Sequence, residues 1–199
     1  MKLDNSYYQG TDVIGLSRDL IGKHLFTRIA GRITGGRIVE TEAYAGERDK
    51  ASHACGGRRT KRTEIMYHRG GVSYVYLCYG IHNLFNIITA PENVPHAVLI
   101  RAVEPVAGIG HMLERRNQSQ LRRSTSGGPG LVCQALGIGR HHNGTELTGG
   151  TIWVEDKGEI IRPDDIAAGC RVGIHYAGED ATNLWRFRLK GNGYTSPAK

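Results

Sequence analysis

Residues 37–44, Arg-Ile-Val-Glu-Thr-Glu-Ala-Tyr, read as the second half of a strand that begins near Ile33. Side chains alternate along a strand, so Ile38, Glu40, Glu42 and Tyr44 fall on one side and Val39, Thr41 and Ala43 on the other. Two carboxylates on one side of a core strand need strong compensation, because buried charge is costly unless paired. A local break of a packing rule of this kind often marks a site.

Working outward, His24 to Ile29 is a second strand, and Ala30-Gly31 supplies the bend that makes the two a pair. Residues 12–22 before it read as a short helix, with Val13, Leu16, Leu20 and Ile21 on one face and Gly22 where a C-cap belongs. A polar, glycine-rich stretch follows over 45–61. Residues 72–79 have the β-branched and aromatic content of a strand. Gly80 breaks that run and 83–89 resume it, which predicts a hairpin, and 97–103 form another apolar strand. Pro105 is expected in the first turn of a helix reaching about Arg116, with Val106, Ile109, Met112 and Leu113 on one face. A polar basic loop over 117–130 leads to a second helix near Leu131, and the remainder reads as short strands and turns. No repeat, linker or low-complexity segment interrupts the chain. The expectation is one α+β domain over residues 1–199, a curved, mainly antiparallel sheet flanked by helices.

The 199 residues suffice for one real hydrophobic core, and a composition of 39% hydrophobic and 23% charged residues is that of a folded protein. A net charge of +7 makes a polyanion such as nucleic acid a natural partner. No apolar run approaches the roughly 18 residues of a spanning helix, and Met1 to Ser6 carry no apolar signal-peptide core. No membrane association and a cytoplasmic, nucleoid-associated location are expected. Cys55, Cys78, Cys133 and Cys170 lie far apart without a CxxC pair, which favours reduced thiols. His53-Ala54-Cys55 and His141-His142 lack the usual zinc-ligand spacings, so no metal and no cofactor are expected.

Glu42 and Tyr44, the Tyr74/Tyr76 pair two residues apart on another strand, and His53 each have an ordinary explanation as surface or core side chains. Together they sketch a pocket with aromatic walls and one carboxylate beside the basic run Gly57-Arg58-Arg59-Thr60-Lys61-Arg62. Such a pocket suits a flat ring attached to a phosphate polymer, because bases swung out of a duplex are held by aromatic stacking and edge hydrogen bonds. Arg58, Arg59, Lys61 and Arg62 could grip phosphates, as could Arg115, Arg116, Arg122 and Arg123 around the second loop. Two other readings stay open on these residues. One is a catalytically silent nucleic-acid-binding module, which has no need of Glu42; the other is a zinc hydrolase built on Glu42, His53 and Cys55.

Residues 37–44, Ala51-Ser52-His53-Ala54 and Gly-Gly-Arg-Arg-Thr-Lys-Arg-Thr-Glu-Ile-Met-Tyr at 56–67 closely resemble the alkyladenine (3-methyladenine, methylpurine) DNA glycosylases. Tyr74-Val75-Tyr76, Tyr79-Gly80-Ile81-His82, Asn86, the run from Ala97 to Pro105 and Gly128-Pro129-Gly130 continue the likeness in order, and Arg171 to Ile174 with Trp185-Arg186-Phe187 resemble the family's ending. The resemblance spans nearly the whole chain. It implies base-excision repair of double-stranded DNA: hydrolysis of the N-glycosidic bond of alkylated or deaminated purines, leaving an abasic site without strand cleavage. Lys50 and Lys61, in polar basic surroundings, do not look like the desolvated amine that strand cleavage requires.

By resemblance Glu42 matches the general base and Arg101 a residue that holds the attacking water. Tyr44 matches one stacking wall of the base pocket, His53 and Tyr76 the other, and Asn86 the floor that disfavours guanine. Tyr79 matches the wedge at the tip of a protruding DNA-binding hairpin. Arg58, Arg59, Lys61, Arg62, Arg122 and Arg123 are expected on the DNA backbone, and the protein is expected to act as a monomer. The chain departs from the family at Leu131, where many relatives carry lysine, and at Cys170 and Leu184, where proline is common. A cation contact to DNA at position 131 is therefore absent or comes from another residue.

Overall fold

The computed structural model describes residues 1–196. The strand read from residues 33–44 spans Arg32–Tyr44 (β2) and is the spine of an eight-stranded, wholly antiparallel sheet. Its first half pairs with His24–Ile29 (β1), and Glu40 to Glu42 pair instead with the late strand Arg186–Leu189 (β8). Along its other edge β2 pairs with His96–Ala107 (β5). Beyond β5 lie His82–Thr89 (β4) and Ser73–Cys78 (β3), the hairpin read from the sequence. Ile152–Glu155 (β6) closes the β1 side, and Ile166–Gly169 (β7) pairs with β8. Because β2 changes partner halfway, the sheet curls.

Among the described residues four α-helices flank it: Val13–Asp19 (α1), Ile109–Arg116 (α2), Arg123–Ser126 (α3) and Pro129–Leu136 (α4). The Asp12 side chain caps α1 by accepting from the Gly15 amide. Ser17 of α1 and Thr41 of β2 bond hydroxyl to hydroxyl at 3.0 Å, which fixes the helix side of β2. Val13, Ile38, Ala43, Phe85, Ile100, Met112, Val132 and Leu136 belong to one buried apolar cluster between sheet and helices. Among the described residues no helix is long and apolar enough to cross a membrane.

Two readings need correction. Ile38 does not share a face with Glu40, Glu42 and Tyr44; it packs in the core with Ala43. The pairing of β2 with β5 jumps between Ile38 and Glu40, so Val39 is an extra residue, and a bulge of this kind resets which side each following residue faces. Pro105 lies in β5, not at a helix start, and α2 begins only at Ile109. Pro105 pairs with Gly36 next to another register jump, and β4 covers β5 only over residues 96–99, so the missing proline N–H leaves no ladder bond to its other side unmade. Gly36 permits the approach, since a Cβ there would stand 2.8 Å from the Glu104 carbonyl oxygen. The loop read over 117–130 also contains α3 and the first residues of α4.

Candidate active site

One transverse row of the curled sheet carries the site. Tyr74 on β3 pairs with Asn86 on β4, Asn86 with Leu99 on β5, Leu99 with Glu42 on β2, and Glu42 with Arg186 on β8. Paired residues in a sheet share a face, so Tyr74, Asn86, Leu99 and Glu42 line one wall of a cavity of about 560 Å³. The loop with His53, the tip of the β3–β4 hairpin, the start of α4 and residues 172–174 form its other sides.

Glu42 lines this cavity although its side chain has no exposed surface. Its Oε1 accepts from the Val172 amide at 2.8 Å and lies 3.3 Å from an Arg101 guanidinium nitrogen; its Oε2 accepts from the Tyr44 hydroxyl at 2.9 Å. Burial pushes the Glu42 pKa up, and Arg101, the Val172 amide and the Tyr44 hydroxyl only partly oppose it. Glu40, two residues earlier, does not line the cavity. Its carboxylate accepts from Arg101 Nε at 2.8 Å, Arg186 Nε at 2.7 Å and the Ser196 amide and hydroxyl at 2.5 and 2.7 Å. Burial raises Glu40 too, but Arg101, Ser196 and Arg186 outweigh it and hold the pKa below the ordinary value. The two carboxylates thus differ in kind: Glu40 is a sealed structural anion, and Glu42 is a buried base candidate with access to a cavity. Arg101, at a third jump in the β2–β5 register, touches both.

The aromatic residues singled out in the sequence meet at this cavity. Tyr44, His53, Tyr76 and Asn86 all line the cavity. His53 Nδ1 is 2.8 Å from the Tyr74 hydroxyl, and its ring meets Tyr76 at 4.7 Å with 76° between the planes. A flat ring lying parallel to one of these two side chains therefore meets the other edge-on. Burial, with Arg62 and Arg58 adding repulsion, lowers the His53 pKa to about 4, so the imidazole is neutral at physiological pH. Asn86 is fixed by an Nδ2 bond to the Tyr74 carbonyl at 3.1 Å. Tyr79, 86% exposed at the hairpin tip, also borders the cavity. It and Gly80 both have positive φ, 50° and 73°, which with the bond from the Ile81 amide to the Cys78 carbonyl makes a type I′ turn.

The basic residues divide. Arg58, Lys61, Arg62, Arg122 and Arg123 are exposed. Arg62 stacks over Tyr76 at 5.0 Å at the cavity's edge. Arg59 is held by Glu64 and Asn93 and lies over the Tyr67 ring. Arg115 and Arg116, candidates in the second loop, instead tie α2 to α4: Arg115 donates to the Ala135 carbonyl and Arg116 to the Gln134 side chain. His53, Cys55 and Glu42 do not come together as ligands; among the described residues no three His, Cys, Asp or Glu side chains form a metal-binding group.

Sequence reasoning missed Asp49, the Val172 amide and Ser196. In the sequence Arg171 reads only as part of the chain's ending, yet it forms a fully buried ion pair with Asp49. These partners lie 122 residues apart, and no local pattern joins them.

A curled sheet presenting a buried carboxylate, an arginine and aromatic walls to a cavity beside basic loops suits bond hydrolysis next to a flat ring. A family model described as Methylpurine-DNA glycosylase matches residues 6–193. A protein of Chlamydia felis (strain Fe/C-56) named "Putative 3-methyladenine DNA glycosylase" is 44% identical over 191 residues, 94% of this chain and 95% of its own. Proteins of the same name from Clostridium acetobutylicum and Bacillus cereus (strain G9842) are 42% and 43% identical, covering 100% and 98% of this chain and 99% of their own lengths in each case. The protein is thus a DNA-repair enzyme that hydrolyses N-glycosyl bonds. It belongs to the methylpurine-DNA glycosylase family, whose work is the removal of alkylated purines in base excision repair.

Proposed function

We propose that the protein flips alkylated or deaminated purines out of duplex DNA and hydrolyses the N-glycosidic bond with a water activated by Glu42. 3-Methyladenine, 7-methylguanine, hypoxanthine and ethenoadenine are the substrate class. The observation that carries this reading is Glu42 itself, a fully buried carboxylate that nonetheless opens on a cavity sized for a base. A carboxylate offers about four acceptor positions; hydrogen bonds from Val172 and Tyr44 occupy two, and Arg101 faces Oε1 as an ion pair at 3.3 Å. Acceptor capacity is thus left to take a proton from water. Burial makes Glu42 a stronger base than an exposed carboxylate, and its negative charge opposes the developing oxocarbenium ion. Arg101 holds the water near it.

Tyr44 stacks on one face of the extruded base. Of His53 and Tyr76, one stacks on the other face and the second meets the ring edge, since their planes stand 76° apart. Asn86 on the floor crowds the 2-amino group of guanine. Tyr79 fills the gap left in the DNA, offsetting part of the unstacking cost, while Arg58, Lys61, Arg62, Arg122 and Arg123 contact phosphates. A cationic alkylated purine is already a good leaving group, so placing water and charge suffices for it. The product is an abasic site in an uncut strand, and one copy of the chain acts alone.

An end-labelled duplex containing hypoxanthine or ethenoadenine, run beside methylated DNA with and without hot alkali, tests this. Cleavage that needs alkali in the wild type and is missing in Glu42→Gln, with binding retained, is expected. Excision by Glu42→Gln at the wild-type rate would overturn the role of Glu42, and strand cleavage without alkali would overturn the monofunctional reaction.

A further inference from the structure

We infer that the buried Asp49–Arg171 pair is a positioning clamp that sets both the Tyr44 ring and the Val172 amide against Glu42. The inference rests on the reading of Glu42 as the base. Arg171 and Asp49 do not line the cavity, and both side chains are fully buried, so neither can touch a base or the attacking water. Their contacts reach the cavity wall through Tyr44 and Ala51 and otherwise tie together the segments that carry it. The Arg171 guanidinium lies 4.9 Å from the centroids of both Tyr44 and Trp185. It bonds Asp49 in a two-pronged pair at 2.5 and 2.8 Å, and donates to the Ala43 carbonyl at 2.9 Å and the Asp180 carbonyl at 3.2 Å. Asp49 also accepts from the Ala45 and Ala51 amides, at 3.1 and 3.0 Å, on the loop that leaves β2 towards His53.

The consequence lies in the next peptide. Val172 follows Arg171, and its amide is the donor 2.8 Å from Glu42 Oε1. A planar guanidinium stacked on an aromatic ring and gripped by a carboxylate has little freedom, and lysine cannot reproduce that geometry. The segment after β7 is thereby pinned to the end of β2, 122 residues away between the paired side chains, at the point where its amide must meet the catalytic carboxylate.

Loosening the clamp leaves Glu42 with a weaker donor and therefore binds its proton more tightly. The charged and titratable groups that also face Glu42 are Arg101 from β5, Glu40 and Tyr44 from β2, Tyr76 from β3 and Arg171 itself. Arg186, its partner on β8, is engaged by Glu40. Arg171→Lys keeps the charge and removes only geometry. Trp185→Leu removes one ring against Arg171, carries no charge, and reports on the clamp if Arg171→Lys does not fold.

The test is the pH profile of single-turnover excision of 7-methylguanine from duplex DNA, a leaving group that needs no proton. Both variants should move the acidic limb to higher pH, Arg171→Lys by about one pH unit, a tenfold change in proton affinity, and recover much of the wild-type rate above it. A limb that stays in place while the rate drops equally at every pH would make the pair a plain stability element and overturn the clamp. The two readings fail differently. Full turnover by Glu42→Gln removes the base assignment, whereas an unmoved limb in the clamp variants beside an inactive Glu42→Gln removes only the clamp.

Discussion

The Tyr44 hydroxyl donates to Glu42 Oε2 across 2.9 Å, between two residues that share one face of β2. The strand's period of two is therefore sufficient to place an aromatic ring beside the buried carboxylate, and on the proposed reading that ring has two tasks, stacking on the extruded purine and stabilising the carboxylate. Tyr44→Phe separates the tasks. The ring stays, so affinity for damaged duplex should hold. The carboxylate loses one of its donors, and burial then raises its pKa further. A hydrogen bond to a charged group is worth roughly 1.5–3 kcal/mol, so excision near the acidic limb should fall about tenfold. The loss should shrink at higher pH. A wild-type rate at every pH would assign Tyr44 to stacking alone, and a deficit independent of pH would mean that its hydroxyl does not act through the Glu42 pKa.

Glu40 and Glu42 should have opposite effects on stability. The Glu42 pKa is raised by burial, so the folded state takes up a proton more readily than the unfolded chain. Stability from this group is present below the unfolded pKa and is lost as pH rises through the folded one. Glu42→Gln should melt above the wild type at neutral pH, with the gap closing in acid. Glu40 is held below its ordinary pKa by Arg101, Ser196 and Arg186 against the opposing push of burial. Its contribution is present above the unfolded pKa and is lost as pH falls through the folded one. Glu40→Gln leaves Arg186 buried without its anion and should cost about 3–5 kcal/mol, seen in urea denaturation at neutral pH. Equal melting of both variants would contradict this division of labour.

Much of this was legible in the chain, for physical reasons that particular residues make plain. The period-two run to Tyr44 and the breaks at Gly31 and Gly80 announced β2 and both hairpins, because turn residues and alternation are local properties. Where the outcome depended on a distant partner, local reading failed. Nothing near Val39 signals the bulge that turns Ile38 into the core, since that register is set by β5. Pro105 has the preference of a helix start, yet a glycine 69 positions earlier, Gly36, admits it to a strand. Glu40 and Glu42 are the same residue two places apart; Arg186 and Ser196, from the other end of the chain, make one a structural anion.

Tyr79 should trade stability for function. A left-handed backbone costs a bulky L-residue roughly 1–2 kcal/mol, and Tyr79 has a φ of 50°. Strain kept at an exposed aromatic tip is common at functional positions. Tyr79→Asn, which suits a type I′ turn, should raise stability by about 0.5–1 kcal/mol. The same variant should lose excision from duplex DNA more than from single strands, where no stacked gap must be filled. Equal losses on both substrates would remove Tyr79 from base extrusion.

Salt dependence should sort the basic residues by what each is already doing in the protein. Neutralising a phosphate releases counterions, so each contact adds about 0.9 to the slope of log affinity against log salt. Lys61, Arg122 and Arg123 are exposed, and Lys61→Ala, Arg122→Ala and Arg123→Ala should each lower the slope by about one. Arg59 stands in the same basic run but is held by Glu64 and Asn93 over Tyr67, so Arg59→Ala should leave the slope nearly unchanged. Binding titrations on an undamaged duplex at several salt concentrations read this directly, free of the chemistry at Glu42. If Arg59→Ala lowers the slope as much as Lys61→Ala, Arg59 must exchange Glu64 for phosphate on binding. The loop would then rearrange on DNA, releasing Glu64 as Arg59 turns to the backbone.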